Sequence, residues 1–177
     1  ENHVKEKHEP RQCYATWQKD RKERKYSASG GIAFGFYKRW IQNAGIVYGA
    51  AFNEKGILTQ QKAETLEEAR KFRGSKYVQS YNGFSYSEIG KELKKGKKVL
   101  FIGTPCQIAG LKAYLGKASD ALVTIDLICH GTPPMSYLEE YIKEIAGAEK
   151  VDRVSFRGEK DYHMVFYSQD RVVYSQR

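Results

Sequence analysis

The sequence predicts an α/β fold: a central, mostly parallel sheet with flanking helices and a C-terminal antiparallel annex. Three observations carry this. The first is a pair of apolar runs, Val99-Leu100-Phe101-Ile102 and Ile125-Asp126-Leu127-Ile128. Each stops at a turn holding a glycine and a cysteine, Gly103-Thr104-Pro105-Cys106-Gln107 and Cys129-His130-Gly131. Short apolar runs bounded by turn signals read as buried strands. The second is the helical pattern that follows each run, which makes the two strands parallel. The third is the alternation of apolar and polar residues over Val151–Arg157, His163–Tyr167 and Arg171–Tyr174. Half-exposed antiparallel strands alternate in this way.

Taken in order, residues 1–11 are polar and read as a disordered or linker remnant. Residues 12–177 read as one truncated domain, with an N-terminal lobe over 12–90 and the strand–turn–helix units and annex over 91–177. Cys13–Trp17 is expected as a short first strand and Lys19–Lys25 as a charged, basic connection. Ser27-Ala28-Ser29-Gly30-Gly31 opens a helix with Ile32, Phe36 and Trp40 at helical spacing, stopped by Asn43-Ala44-Gly45. Ile46–Phe52 and Ile57–Lys62 form a hairpin about the turn at Asn53–Gly56. Thr65-Leu66-Glu67-Glu68 has capping-box form, so a short helix runs to about Phe72. Arg73–Tyr77 is a loop, and Ser85–Lys95 an amphipathic helix with Ile89 and Leu93 inward. Pro105 suits a first helical turn, because its missing N–H has no helical partner there. Ile108, Leu111 and Leu115 form the inner face of that helix. A third helix follows Pro133-Pro134, with Leu138, Tyr141, Ile142 and Ile145 inward.

Composition narrows the function. The chain of 177 residues carries 30 Lys and Arg against 21 Asp and Glu, a net charge of +9. That balance favours acidic partners such as phosphates, polyglutamate, nucleic acid or an acidic protein subunit. The run Lys91–Lys98 reads as a solvated helix end rather than a nucleic-acid patch. No apolar stretch approaches the length of a membrane span, and the polar N-terminus, which lacks Met, does not read as a signal peptide. Both ends read as cuts in a longer protein. The 3 cysteines are too scattered for a disulfide framework, and a reducing, cytoplasmic location is the simplest expectation.

Several residues are candidates for chemistry. Ser29-Gly30-Gly31 sits at a helix start, where backbone N–H groups lack intrahelical partners and small residues let a phosphate or flavin ring approach. The same residues also fit an ordinary serine N-cap. Cys106 follows Pro105 at a helix N-terminus, a position that favours thiolate. It is a candidate metal ligand, nucleophile or redox thiol, or a small residue filling a tight turn. Cys129-His130 reads similarly: His130 can protonate a reduced cofactor, bind an anion, serve as base to Cys106, or simply be half-buried. Asp126 faces either the far side of the sheet or a ribose. Arg73, Lys76 and Tyr77 form a basic, aromatic loop able to clamp a pyrophosphate and stack on a ring, or a plain solvated connection.

Cys13-Tyr14-Ala15, Ser29-Gly30-Gly31, Val47-Tyr48-Gly49-Ala50, Arg73–Ser80, Gly103–Leu111 and Asp126–Gly131, in this order, resemble the beta subunit family of coenzyme F420 hydrogenase and dehydrogenase. The resemblance runs from about residue 13 to about residue 160 and is most specific in Gly103–Leu111 with its downstream Cys-His-Gly. It implies a flavin-dependent, iron–sulfur-linked electron-transfer oxidoreductase. FAD would meet Ser29, Gly30 and Gly31, be lined by Ser75, Lys76 and Tyr77, and be wrapped by Thr104, Pro105, Cys106 and Gln107 with His130 and Gly131. Cys106 and Cys129 would be candidate ligands of a 4Fe-4S cluster in the full-length protein. Four ligands are needed and three cysteines do not complete the set. The implied partners are a ferredoxin-like or hydrogenase/dehydrogenase subunit and a small-molecule acceptor such as a deazaflavin. The alternative is a non-catalytic module that docks a ferredoxin or partner subunit.

Overall fold

The computed structural model describes residues 10–157 and 163–177. Most of the expected 1–11 segment lies outside these residues; Pro10 and Arg11 are exposed and form no helix or strand. The most buried strand, β3 (Val99–Gly103), organises the main sheet: all five of its residues are buried. Its alternation sends Val99 and Phe101 to one face and Leu100 and Ile102 to the other. It lies between β1 (Ile46–Phe52) and β4 (Leu122–Asp126), parallel to both, while β2 (Leu58–Ala63) pairs antiparallel with the outer side of β1. The order β2-β1-β3-β4 is the mostly parallel sheet that the sequence predicts.

Helices cover both faces, as a buried parallel sheet requires. On one face, α2 (Ile32–Gln42) and the turn formed by α3 (Leu66–Ala69) with a following 3₁₀ turn (Arg70–Phe72) pack Phe34, Tyr37 and Phe72 on Val47, Leu100 and Ile102. On the other, α4 (Ser85–Lys94) and α5 (Pro105–Leu115) pack Ile89, Ile108 and Leu111 on Tyr48 and Phe101. The annex is a second sheet, β5 (Arg153–Ser155), β6 (Met164–Ser168) and β7 (Arg171–Gln176), antiparallel throughout. With α6 (Met135–Ala146) it closes over Phe166, Met135 and Leu138, and it reaches back to Leu58 and Val78 of the main body. Helix α1 (Arg21–Lys25) is short, buries no residue, and starts where Asp20 accepts from the N–H groups of Lys22 and Glu23.

Four expectations are corrected. Cys13–Trp17 joins neither sheet. It runs along the start of α2, where the Gln18 N–H donates to the Gly30 carbonyl at 2.8 Å. The basic Lys19–Lys25 connection contains a helix. The inner face of α2 is Phe34 and Tyr37, with Ile32 and Phe36 exposed. Because α2 is apolar on most sides, periodicity alone does not select the buried face. The strand before Cys129 begins at Leu122 and ends at Asp126, since Gly103, the last residue of β3, pairs with Asp126. Leu127 keeps one bond to the Gly103 carbonyl, and the chain then leaves the sheet with Ile128 94% exposed.

Candidate functional site: a cation-lined crevice

Between the outer end of the β1–β2 hairpin and the annex lies a crevice of ≈ 1940 Å³. Arg21, Arg24 and Lys25 of α1 line it, as do Arg70, Lys71, Arg73 and Lys76 from the turn after α3. The annex and the segment leading into it add Lys150, Arg153 and Arg157, and the hairpin adds Lys55. Glu54 and Asp152 are the acidic residues that line it. Such a one-signed wall focuses its field on anions. The volume exceeds that of an ordinary small-ligand pocket, roughly 300–1,000 Å³.

The crevice unites Ser29, Ser75 and Lys76, three of the residues singled out in the sequence, across some fifty positions of chain. Ser29 is held in the left-handed region at φ 52. Around the Lys76 ammonium, hydration is replaced by the carbonyls of Lys71 and Arg73 at 3.2 and 2.9 Å. Burial of that group pushes its pKa down to about 7, although the side chain as a whole is only half-buried. Arg73 is fixed on every side. Its Nε donates to the Arg70 carbonyl, its guanidinium lies over the rings of Tyr26 and Phe34 at 5.5 and 5.4 Å, and Nη1 meets Glu23 at 2.8 Å.

The other candidates lie elsewhere. Gly30 and Gly31 do not line the crevice. A Cβ on Gly30 would stand 2.7 Å from the Thr16 carbonyl oxygen, and one on Gly31 would stand 3.1 Å from the Ser27 Cβ. The missing side chain admits the Thr16–Trp17 backbone at Gly30 and the Ser27 and Gln18 side chains at Gly31, which also has a left-handed φ of 72. Tyr77 packs edge-on against Phe156, and its hydroxyl accepts from Arg157 at 3.0 Å, so it backs the wall. Thr104, Pro105, Cys106, His130 and Gly131 belong to the C-terminal edge of β3 and β4, apart from the crevice lining. There Cys106 is exposed, with Sγ 3.1 Å from Thr104 Oγ1. Cys129 is half-buried and accepts from the Gly131 N–H at 3.4 Å.

Gln107 is buried and turned inward. Its Oε1 accepts from the Thr104 N–H at 3.1 Å and from Gln60 at 3.2 Å, while Nε2 donates to the Ser80 hydroxyl at 2.9 Å. It ties the Cys106 turn to β2 and to the loop before α4. Among the described residues no group of three or more His, Cys, Asp or Glu side chains is placed to hold a metal ion. The described residues therefore offer no four-ligand set for an iron–sulfur cluster.

Sequence reading missed the annex wall. Arg153 lies over the Tyr167 ring at 3.7 Å because β5 and β6 pair these two residues. That pairing depends on a register between segments that are not adjacent in sequence, and no local motif marks it. For α1, the dense positive charge of Lys19–Lys25 was the available signal.

The fold and the crevice define a class: an α/β protein with a broad crevice lined mostly by cationic side chains. Comparison narrows this. Residues 96–176 match the family described as the C terminus of the coenzyme F420 hydrogenase/dehydrogenase beta subunit. A chain of the F420-reducing NiFe hydrogenase complex from Methanosarcina barkeri has a similar fold, with a TM-score of 0.58 and 18% identity. The similarity covers 88% of the present chain and 57% of that one, so the present chain spans little more than half of its length. No curated protein matches. The family match covers the stretch that holds Gly103–Leu111 and Asp126–Gly131, and the neighbour shares the fold. Among the described residues no helix is long and apolar enough to cross a membrane.

Proposed function

We propose that the chain is part of a flavin-dependent oxidoreductase subunit. It would pass electrons between a ferredoxin-like or hydrogenase/dehydrogenase partner and a small-molecule acceptor such as a deazaflavin. The carrying observation is the crevice that gathers Ser29, Ser75 and Lys76 among fixed guanidinium groups. Its donor set fits FAD: arginines and lysines suit a pyrophosphate, hydroxyls and half-exposed aromatic rings suit a ribose and a ring system. FAD, when bound, supplies the exchange between two-electron and one-electron transfer. The chain's own residues bind and orient. Arg70 and Arg73 neutralise phosphate charge, and Ser29 and Ser75 offer hydroxyl contacts. Lys76 supplies a proton-bearing amine whose charge changes near neutral pH. The space beyond one dinucleotide suits a second, acidic molecule. A cluster's ligands would come from a partner subunit or from chain beyond this sequence.

Anaerobic titration of the chain with FAD and with riboflavin tests this. Saturable quenching of flavin fluorescence by FAD, weakened by salt, is expected. Riboflavin, which lacks the pyrophosphate, should bind at least about tenfold more weakly, in line with charge-assisted contacts of about 1.5–3 kcal/mol. No change with FAD, or equal binding of both flavins, would overturn the assignment and favour a docking module.

A further inference from the structure

Of the contacts that hold Arg73, one is unlike the rest. The Arg70 carbonyl and the rings of Tyr26 and Phe34 fix where the guanidinium sits and how its plane is turned. Glu23 adds a carboxylate to a group already positioned, at 2.8 Å from Arg73 and 3.6 Å from Arg70. Only 18% of each side chain in the Glu23–Arg73 pair is exposed, so water screens the pair less than it would an open surface bridge. Glu23 comes from α1, a five-residue helix with no buried residue, which rests on the crevice through this pair and Tyr26. An anion that met Arg70 and Arg73 would replace what Glu23 supplies, and the stacking contacts would keep the arginine in place.

We propose that Arg70 and Arg73 form a phosphate subsite of the crevice and that the Glu23 carboxylate is its built-in occupant, competing with a phosphate ester or pyrophosphate for the same two guanidinium groups. This rests on the reading of the crevice as a nucleotide-phosphate site. Removing the carboxylate charge leaves Arg73 held in place by its ring and carbonyl contacts without a carboxylate partner, while Arg70 keeps Glu67, so anion affinity rises. If Glu23 instead served to position Arg73, its loss would lower affinity.

The test uses the full chain and its Glu23→Gln variant, which keeps the size of the side chain. Glu23→Asp is a second variant that keeps the charge. ADP, inorganic pyrophosphate and adenosine are titrated calorimetrically at low and physiological salt. Expected are ADP and pyrophosphate binding about tenfold tighter in Glu23→Gln, with the gain shrinking as salt rises. Adenosine should be unaffected, and Glu23→Asp should stay close to the parent. Equal or weaker ADP binding in Glu23→Gln, with the parent still binding ADP, would overturn the competition and leave the crevice reading intact. Failure of parent and variant alike to bind ADP or pyrophosphate would overturn both. Thermal unfolding of each variant in parallel shows whether a loss of affinity is a loss of fold.

Discussion

The basic crevice and the cysteine-bearing sheet edge solve different problems with the same kinds of residue. In the crevice, cations from α1, the turn after α3 and the annex converge on open space, and their orientation is set by aromatic rings and backbone carbonyls. At the sheet edge the polar side chain with the most partners, Gln107, spends them inward on Thr104, Gln60 and Ser80, and the thiols are left toward solvent. One region presents cationic side chains to open space. The other is a turn held from behind by Gln107, with Cys106 and His130 exposed and Cys129 half-buried. A motif's residues thus need not share a role: within Thr104–Gln107 one side chain is structural and its neighbour is exposed.

The sharpest way to break this contrast is to remove the inward lock. Gln107→Ala leaves the Thr104 N–H and the Gln60 amide without their acceptor in a buried setting. It should cost roughly 2–4 kcal/mol, read from urea unfolding. A loss below about 0.5 kcal/mol, the ordinary scatter of surface changes, would mean that Gln107 is free to serve a ligand instead.

A smaller effect concerns Lys76. Its amine is charged below about pH 7 and neutral above it. ADP or FAD affinity should therefore fall about three- to tenfold from pH 6 to pH 8, the scale of one partly screened charge pair. Lys76→Met should abolish that dependence. Because the folded state binds this proton less tightly than the unfolded chain, stability should rise with pH between about 7 and 10.5 and level off beyond. A Lys76→Met variant with an unchanged pH profile would show that the amine is hydrated like any surface lysine.

The smallest expected effect is the most discriminating. Cys106→Ser should leave ADP affinity within about twofold, as distant and independent sites behave. It should also shrink, without removing, the fast thiol-labelling phase, since Cys13 and Cys106 are both exposed and Cys129 is half-buried. A tenfold loss of affinity would merge the two regions into one site.

Much of this was legible from residue order. β3 announced itself because four consecutive apolar residues between turn signals have no alternative to burial on both faces. The hairpin, the Thr65 capping box and Pro105 at a helix start are local events, decided within a few residues of chain. Less local features misled. Cys13–Trp17 has strand composition, yet the edges of the main sheet are β2 and β4, and the segment instead lies against Gly30. Helix α2 is apolar around most of its surface, so its buried face followed from the sheet it met.

By itself, the sequence determined the α/β class, the parallel core strands, the basic surplus and the candidate turns. Each of these depends on the period of apolar residues or on a short-range backbone preference. Tertiary structure alone decided which candidates meet. Ser29, Ser75 and Lys76 share a crevice because α1, the turn after α3 and the annex converge at one end of the hairpin. Gln107 turns away from solvent because Gln60 and Ser80 stand behind it. Both outcomes depend on contacts between distant parts of the chain, whose geometry is set by packing the whole domain and appears in no window of neighbouring residues.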